Sequence, residues 1–258
     1  MNEVAISDIL SPRPLVSIIM PSYNSANTIV DSVKSVQAQD YLYWELLITD
    51  DGSNDNTVEL VHQLSKNDPR IKISVNAINS GAGFSRNQSI ERSEGKYIAF
   101  LDADDLWMPH KLSTQVAYME KTGSVFSYTA YQKFSDLGVG GVIMPPTRVT
   151  YNELLRGCII GCLTAMFNAE ALGRQTMPLI RKRQDMGLWL KLLQLCEEAH
   201  GIPQVLAKYR VDSGMSQNKF NAACYQWLLY RDVVGLNLIQ SVWYFGWYAL
   251  NGFIKYRK

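Results

Sequence analysis

Apolar residues come in short blocks along the first hundred positions, each closed by small or polar residues. "LVSIIM" (Leu15–Met20) is a β-branched run halted by Pro21, and "WELLIT" (Trp44–Thr49) is a second run that ends in "DDGSND". "IKISV" (Ile71–Val75) and "YIAFL" (Tyr97–Leu101) continue the series. Apolar runs this short, bounded by turn formers, predict buried strands. Between them the period changes. Ile29, Val33 and Val36 recur at helical spacing after Asn27, a residue suited to cap the helix. "TVELVHQLS" and "GAGFSRNQSIERS", the latter to about Ser93, predict two more helices. Strand alternating with helix predicts an α/β fold, a mostly parallel sheet with helices on both faces and right-handed crossovers. Such sheets bind ligands beyond the carboxyl ends of their strands. Asn24, Asp50, Asp51 and Asp102 each follow a predicted strand, so the pattern gathers them along one edge.

The second half is less regular. A helix is expected over Met108–Met119, a strand over "SVFSYTAYQKF" (Ser124–Phe134), and a hairpin or loop at "GVGGVIMPP". "CLTAMFN" reads as strand, "DMGLWLKLLQL" (Asp185–Leu195) as helix, and "PQVLAKYRV" as a last strand. From about Ser216 the chain reads as helical to its end and becomes richer in Trp, Tyr and Leu. This divides it into a domain over residues 1–215, with halves at about 15–106 and 107–215, and a helical segment over 216–258.

Composition narrows the classes. The 258 residues are 47% hydrophobic, enough for a sizeable core. A net charge of +1 gives no global basic field for nucleic acid. Cys158, Cys162, Cys196 and Cys224 form no CxxC pair, and His62, His110 and His200 show no metal-ligand spacing. Reduced thiols in a cytoplasmic protein are the expectation, without a zinc site. The first fourteen residues lack the pattern of a signal peptide.

The acids at the strand ends are the candidate chemistry. Asp102 and Asp104 lie at i and i+2 in an extended segment, so they face the same way and can share one polyvalent partner. Mg²⁺ or Mn²⁺ is held by one or two carboxylates, with substrate phosphates and water completing the shell. A solvated acidic turn explains the spacing equally well. "DDGSNDNT" (Asp50–Thr57) fits an Asx-type turn leading to an N-cap at Asp55 or Asn56, which leaves two consecutive acids at the strand end unexplained. "NSGAGFSRN" (Asn79–Asn87) is neither GxGxxG nor a P-loop, which excludes those phosphate-binding fingerprints.

Taken in order, VSIIMPSYN, DDGSNDNT, NSGAGFSRN and FLDADD resemble the family 2 glycosyltransferases with the GT-A fold, over about Leu15 to Ser216. The resemblance implies a nucleotide-sugar donor, usually a UDP-sugar. Pro21, Tyr23, Asn24 and Asp51 match the positions that hold the base, and Arg86 matches a further base contact. Asp102 matches an aspartate near the ribose, and Asp104 matches the ligand of a divalent cation, Mn²⁺ or Mg²⁺, at the diphosphate. Asp105 is expected outside that shell, capping the helix that follows. In "RKRQDMGLWL", Gln184–Asp185 stands where the family often has Glu–Asp, so the resemblance makes Asp185 the catalytic base, while the residue also reads as a helix N-cap. A helix terminus would favour its ionised form. Many relatives have a metal-contacting histidine near the position of Asp212, which makes Asp212, with Asp102, a further candidate ligand; an ordinary loop acid is the plainer reading. Tyr209, Arg210, Ser213 and Ser216 fit the family's YR…S…S pattern, with Arg210 near the diphosphate. The QxxRW signature of processive synthases is missing, which points to single addition.

Arg181, Lys182 and Arg183 precede the expected base. They read as a solvated basic loop or as contacts to a phosphate-bearing acceptor, with Arg181 and Arg183 the contacts. "LNLIQSVWYFGWYALNGFIKYRK" combines aromatic rings with Lys255, Arg257 and Lys258 but is interrupted by Asn237, Gln240, Ser241 and Asn251. Such a segment fits a helix lying in a bilayer interface, or packed on the domain, better than one spanning it. The short length and aromatic tail resemble transferases of O-antigen and teichuronic-acid type, which implies a glucose or galactose donor and a lipid-linked sugar diphosphate acceptor on undecaprenyl diphosphate. Two rivals remain at this level. A nucleotidyltransferase also places acids at strand ends, but "PSYNSANT" lacks its glycine-rich basic loop. A non-catalytic sugar-nucleotide-binding regulator would keep Asp51 and Asp104 and have no use for Asp185.

Overall fold

The computed structural model describes residues 13–212 and 219–255. Ser213 and Ser216, the expected boundary at residue 215, and Arg257 and Lys258 lie outside the described residues. The first half alternates as expected: β1 (Val16–Ser22), α1 (Ile29–Gln37), β2 (Trp44–Asp50), α2 (Thr57–Asn67), β3 (Ile71–Val75), α3 (Ala82–Glu91), β4 (Tyr97–Phe100). Then come β5 (Leu106–Trp107), α4 (Lys111–Thr122), β6 (Phe126–Ser135), β7 (Gly138–Ile143), β8 (Arg148–Thr150) and α5 (Tyr151–Leu155). A 3-10 turn at Cys162–Thr164 leads to β9 (Met166–Asn168), α6 (Ala169–Leu172), α7 (Gln184–Leu193) and β10 (Glu198–Arg210). α8 (Lys219–Leu228), a π-helical turn (Leu229–Val233) and α9 (Leu238–Lys255) are the last described elements.

One sheet runs through both halves in the order β3-β2-β1-β4-β9-β6-β10-β5, with β7 on β6 and β8 on β10. β3, β2, β1 and β4 are parallel. β9 then runs antiparallel to both β4 and β6, so the sheet is mixed beyond β4. β1 and β2 are buried at every position because helices cover both faces, and residue parity sorts their side chains. Val16, Ile18, Met20, Leu46 and Ile48 join Ile29, Val33 and Val36 of α1, Val61 of α2 and Leu112 of α4 in one core. Ile19, Leu47, Ile98 and Phe100 face the other, with Ile90 of α3, Leu154 and Leu155 of α5 and the whole inner face of α7. Leu229 and Tyr230 of the π-helical turn belong to this second core, so the C-terminal helices are joined to the domain.

Several expectations need correction. β1 continues through Pro21 to Ser22, because β4 accompanies β1 only as far as Ile19↔Phe100 and no partner there needs the N–H that proline lacks. Asn27 is not the cap of α1; Thr28 precedes the helix and makes no side-chain cap bond. In "CLTAMFN" only Met166–Asn168 is strand, since Cys162–Thr164 turns as 3-10 helix. The tail is not helical throughout: among the described residues it breaks near Gly235, whose φ of 75° lies outside the helical region.

Candidate active site

The carboxyl ends of β1, β2 and β4 open onto one edge, and the loops leaving β1 and β2 are tied together. Asn24 takes a left-handed φ of 48°; its N–H donates to Ser53 Oγ (2.8 Å) and its Oδ1 accepts from the Asn54 N–H (2.9 Å). Asp55 Oδ2 accepts from the Ala26 N–H (3.1 Å), and its Oδ1 from the Thr57 N–H (3.1 Å). Pro21 is buried in β1, and Tyr23 stands at the rim, 46% exposed. Asp50 accepts from Ser22 Oγ (2.9 Å) and from the N–H and Oγ of Ser53 (2.7 and 2.6 Å). Asp51 accepts from Asn76 Nδ2 (2.8 Å) and from the N–H groups of Ser80 (2.9 Å) and Gly81 (2.6 Å). Asp51 therefore fastens the loop that leads into α3, where Arg86 resides.

After β4 the acids separate. Asp102 Oδ1 pairs with Arg86 Nη2 at 2.5 Å. Arg86 Nη1 donates to Gln184 Oε1 (3.1 Å), and Gln184 Nε2 donates to the Ile180 carbonyl (2.6 Å). Arg86 thus bridges the end of β4 to the start of α7. Burial opposes its charge, but Asp102 beside it holds the guanidinium protonated more firmly than usual. Its Nε–H is buried without a protein acceptor. The approach of the two elements requires glycine in α3: a Cβ on Gly83 would come within 2.9 Å of Gln184 Cδ.

Asp105 is no helix cap, since α4 starts only at Lys111 behind His110. It is buried and its Oδ1 accepts from the Arg210 N–H (2.8 Å), which pins the acidic turn to the last strand. Burial, then the charges of Asp102 and Asp104, push its carboxyl well above the usual range. Arg210 Nε donates to the Asp104 carbonyl (3.1 Å), Nη1 pairs with Asp136 Oδ1 (2.6 Å), and its guanidinium stacks 4.6 Å from the centre of the Phe134 ring. Asp212 is exposed and accepts from the Asp136 N–H (2.8 Å), at the β6–β7 turn. No cluster of three or more Asp, Glu, His or Cys side chains that could hold a metal occurs among the described residues. Closely spaced carboxylates after β4 suit a hard divalent cation held jointly with substrate oxygens, and do not suit a closed protein cage.

Asp185 lies in the first turn of α7 and is partly buried. Burial raises its carboxyl above the usual range, against the pull of the Met186 N–H and the Arg86 and Arg183 guanidiniums. The sequence reading expects the helix end to favour the ionised form; in the structure burial outweighs that pull. Asp185 is not the N-cap of α7, since the helix begins at Gln184 behind Arg183, which makes no side-chain cap bond. Arg183 donates from Nη2 to Tyr248 Oη of α9 (2.9 Å), while Arg181 is exposed. Two contributors were not legible beforehand. Gln184 looked like a missing acid and is the acceptor that holds Arg86 to α7. Cys162 looked like one of four thiols, yet it lies within electrostatic reach of Arg86, Asp102 and Asp185, its thiol pushed up by burial. The glycine before it, in "IIGC", was the only local sign of an irregular backbone there.

A sheet of this order, acid-tipped after β4 and closed by an acid at a helix start in its second half, is the GT-A architecture of glycosyltransferases. The chain belongs to Glycosyl transferase family 2, whose pattern it matches over residues 17–170. It is 41% identical over 246 residues to the putative teichuronic acid biosynthesis glycosyltransferase TuaG of Bacillus subtilis, covering 94% of this chain and 98% of that one. It is 38% identical over 244 residues to WfgD of Escherichia coli, a UDP-Glc:α-D-GlcNAc-diphosphoundecaprenol β-1,3-glucosyltransferase, covering 94% and 95%. Among solved structures it resembles S. aureus TarS 1-349 in complex with UDP-GlcNAc, with TM-score 0.71 and 19% identity over 91% of this chain and 71% of that one. The mannosyltransferase PcManGT of Pyrobaculum calidifontis, solved with GDP-Man and Mn²⁺, gives TM-score 0.68 and 18% identity over 93% and 74%.

Proposed function

We propose that this glycosyltransferase moves one hexose, glucose or galactose, from a UDP-sugar to a lipid-linked sugar diphosphate on undecaprenol, in bacterial surface-polysaccharide assembly. Support comes from WfgD, whose name states that donor and that class of acceptor, at 38% identity over nearly the whole chain. The observation that carries the chemistry is the Asp102–Arg86–Gln184 bridge, which brings the start of α7, with Asp185, to the acidic turn after β4.

In this reading Pro21, Tyr23, Asn24, Asp51 and Arg86 form the nucleotide side, Asp102 lies toward the ribose, and Asp104 holds the cation. A bound Mn²⁺ or Mg²⁺ supplies Lewis-acid stabilisation of the departing diphosphate. Asp185 accepts the proton of the acceptor hydroxyl as its oxygen bonds to the anomeric carbon. The bond from that carbon to the phosphate oxygen breaks, and UDP leaves on the opposite face with inversion. The raised carboxyl of Asp185 makes it a stronger base than an exposed aspartate. Arg181 is the exposed cation toward the acceptor diphosphate, and Arg210, held beside Asp104 by Asp136 and Phe134, is the cation toward the donor's.

The acceptor's lipid anchor calls for a membrane surface, and α9 offers one. Its outer face exposes Leu238, Ile239 (83%), Val242, Trp243 (62%) and Leu250. No helix among the described residues is long and apolar enough to cross a membrane. An apolar face with a tryptophan fits contact with the interface. Ile239→Glu with Trp243→Glu should reduce co-sedimentation with anionic phospholipid vesicles; unchanged sedimentation would count against the contact.

Asp185→Asn tests the enzyme reading against the regulator. UDP and Mn²⁺ binding should persist while transfer from UDP-glucose to GlcNAc-diphosphoundecaprenol falls by about 10²–10⁴-fold. Full turnover in that variant would refute the base assignment. Running UDP-glucose, UDP-galactose and UDP-GlcNAc in parallel, with product mass and linkage as readout, identifies the donor.

A further inference from the structure

α9 reaches the catalytic helix through one residue. Arg183, immediately before α7, sits in the left-handed region with φ 67° and ψ 19°, a conformation that a residue other than glycine keeps when its surroundings hold it. The Arg183 carbonyl accepts the Gly187 N–H (3.0 Å), and its side chain is held by Tyr248. The Arg183 guanidinium donates from Nη2 to Tyr248 Oη at 2.9 Å, and its carbon stands 5.4 Å from the centre of the Tyr248 ring, within cation–π range.

α9 is itself anchored by other contacts. Tyr244 Oη donates to Asn152 Oδ1 (3.1 Å), Asn251 Nδ2 donates to the Arg156 carbonyl (3.1 Å), and Phe245 meets the Trp227 ring edge-on. The same C-terminal segment backs α7 from behind. Gln226 Nε2 lies 3.5 Å from Met186 Sδ, and Gly187 is so close to Leu229 that a Cβ would come within 3.3 Å of its Cδ1. Two residues after Arg183 comes Asp185. The charged and titratable groups facing it are Arg183 itself, Arg86 from α3, Asp102 after β4 and Cys162 from the 3-10 turn. Arg183 is the cation of this set that rests on the C-terminal helix.

We propose that Tyr248 is a positioning residue for the transfer step: it holds Arg183 over the first turn of α7 and so fixes the cation beside Asp185. The C-terminal helix is then a working part of the acceptor side of the site as well as an outward apolar face. This inference rests on the reading of Asp185 as the base.

The test uses the full chain with Tyr248→Phe, Tyr248→Ala, Arg183→Ala and the double variant Arg183→Ala/Tyr248→Ala. Tyr248→Ala should lower kcat about tenfold while KM for the UDP-sugar stays within about twofold, because the donor side is untouched. Tyr248→Phe keeps the ring face and loses the acceptor oxygen, so it should fall between Tyr248→Ala and the parent. The double variant should be no worse than Arg183→Ala alone, since the two residues act as one unit. Arg183 opposes protonation of Asp185, so Arg183→Ala should move the acidic limb of the kcat profile to higher pH, and Tyr248→Ala should move it the same way by less. A parental kcat and an unshifted acidic limb in Tyr248→Ala would overturn the proposal, as would losses that multiply in the double variant. If Tyr248→Ala loses UDP binding or melts early, Tyr248→Phe decides: reduced kcat with UDP binding and Tm intact supports the role, and parental kcat overturns it. Turnover in Asp185→Asn would sink the base reading itself, whereas a silent Tyr248→Phe beside an inactive Asp185→Asn would sink only this inference.

Discussion

Asp50 and Asp51 end β2 much as Asp102, Asp104 and Asp105 follow β4, yet the two acidic strand ends are furnished differently. Around Asp50 and Asp51, side-chain oxygens are met by hydroxyls, an amide and backbone N–H groups of neighbouring loops, with no cation among those partners. The turn after β4 recruits arginines from distant elements, Arg86 from α3 and Arg210 from β10, and still holds one carboxyl well above its usual range. Other buried charges divide the same way. Glu45 of β2 is met by Ser17 Oγ (2.6 Å), Lys72 Nζ (2.8 Å) and the Glu94 N–H (2.8 Å). Lys111 of α4, fully buried, has Gln115 Oε1 (2.7 Å) and the face of Trp107 (4.1 Å), with no carboxylate among those partners. The end of β2 satisfies its acids with hydrogen-bond donors and serves as a frame. The turn after β4 crowds three acids together, one of them a buried carboxyl that its arginines do not offset, which is what a site awaiting a cationic ligand requires.

The largest effect expected from this contrast is at Asp104. Asp104→Asn, or chelation of divalent cations in the parent, should reduce transfer by at least about 10²-fold with little change in Tm. A large fall in Tm instead would make the second acidic end a structural one like the first. Asp51→Asn should do the opposite. Its amide would turn a donor toward N–H groups now satisfied by a carboxylate, a loss of about 2–4 kcal/mol read in denaturant unfolding. Unaltered stability with lost UDP binding would erase the distinction. The smallest change is expected at Lys111. Burial lowers its pKa to about 7, so the fold disfavours the charged form. Between about pH 7 and the ordinary lysine value near 10.4, the unfolded chain binds the proton and the folded one does not, so stability from this residue rises with pH across that window. Lys111→Met should therefore stabilise by about 1–3 kcal/mol at or below pH 7, with the gain fading toward pH 10. An equal gain at every pH would show that packing, rather than charge, is responsible.

The sequence disclosed what local pattern can disclose. The buried runs at Leu15–Met20 and Trp44–Thr49 became β1 and β2, and their acidic ends share an edge because parallel strands bring carboxyl ends together. The GT-A assignment followed from four motifs in that frame. What stayed hidden depends on pairings between distant residues. Nothing near Asp105 announces Arg210 as its partner, 105 residues on, and nothing near Gln184 announces Arg86. The antiparallel insertion of β9 is three residues long, too short to show a period. Pro21 misled because proline ends strands only where its missing N–H was needed.

The two halves meet at Gly83, where a Cβ would collide with Gln184, a side chain already bonded at its oxygen to Arg86 and at its nitrogen to Ile180. A methyl group there would act as a wedge, and Gln184 could yield only by releasing one of its bonds. The two halves are therefore matched parts. A chimera that grafts a relative's second half onto this first half must carry over the residues at 83 and 184 together.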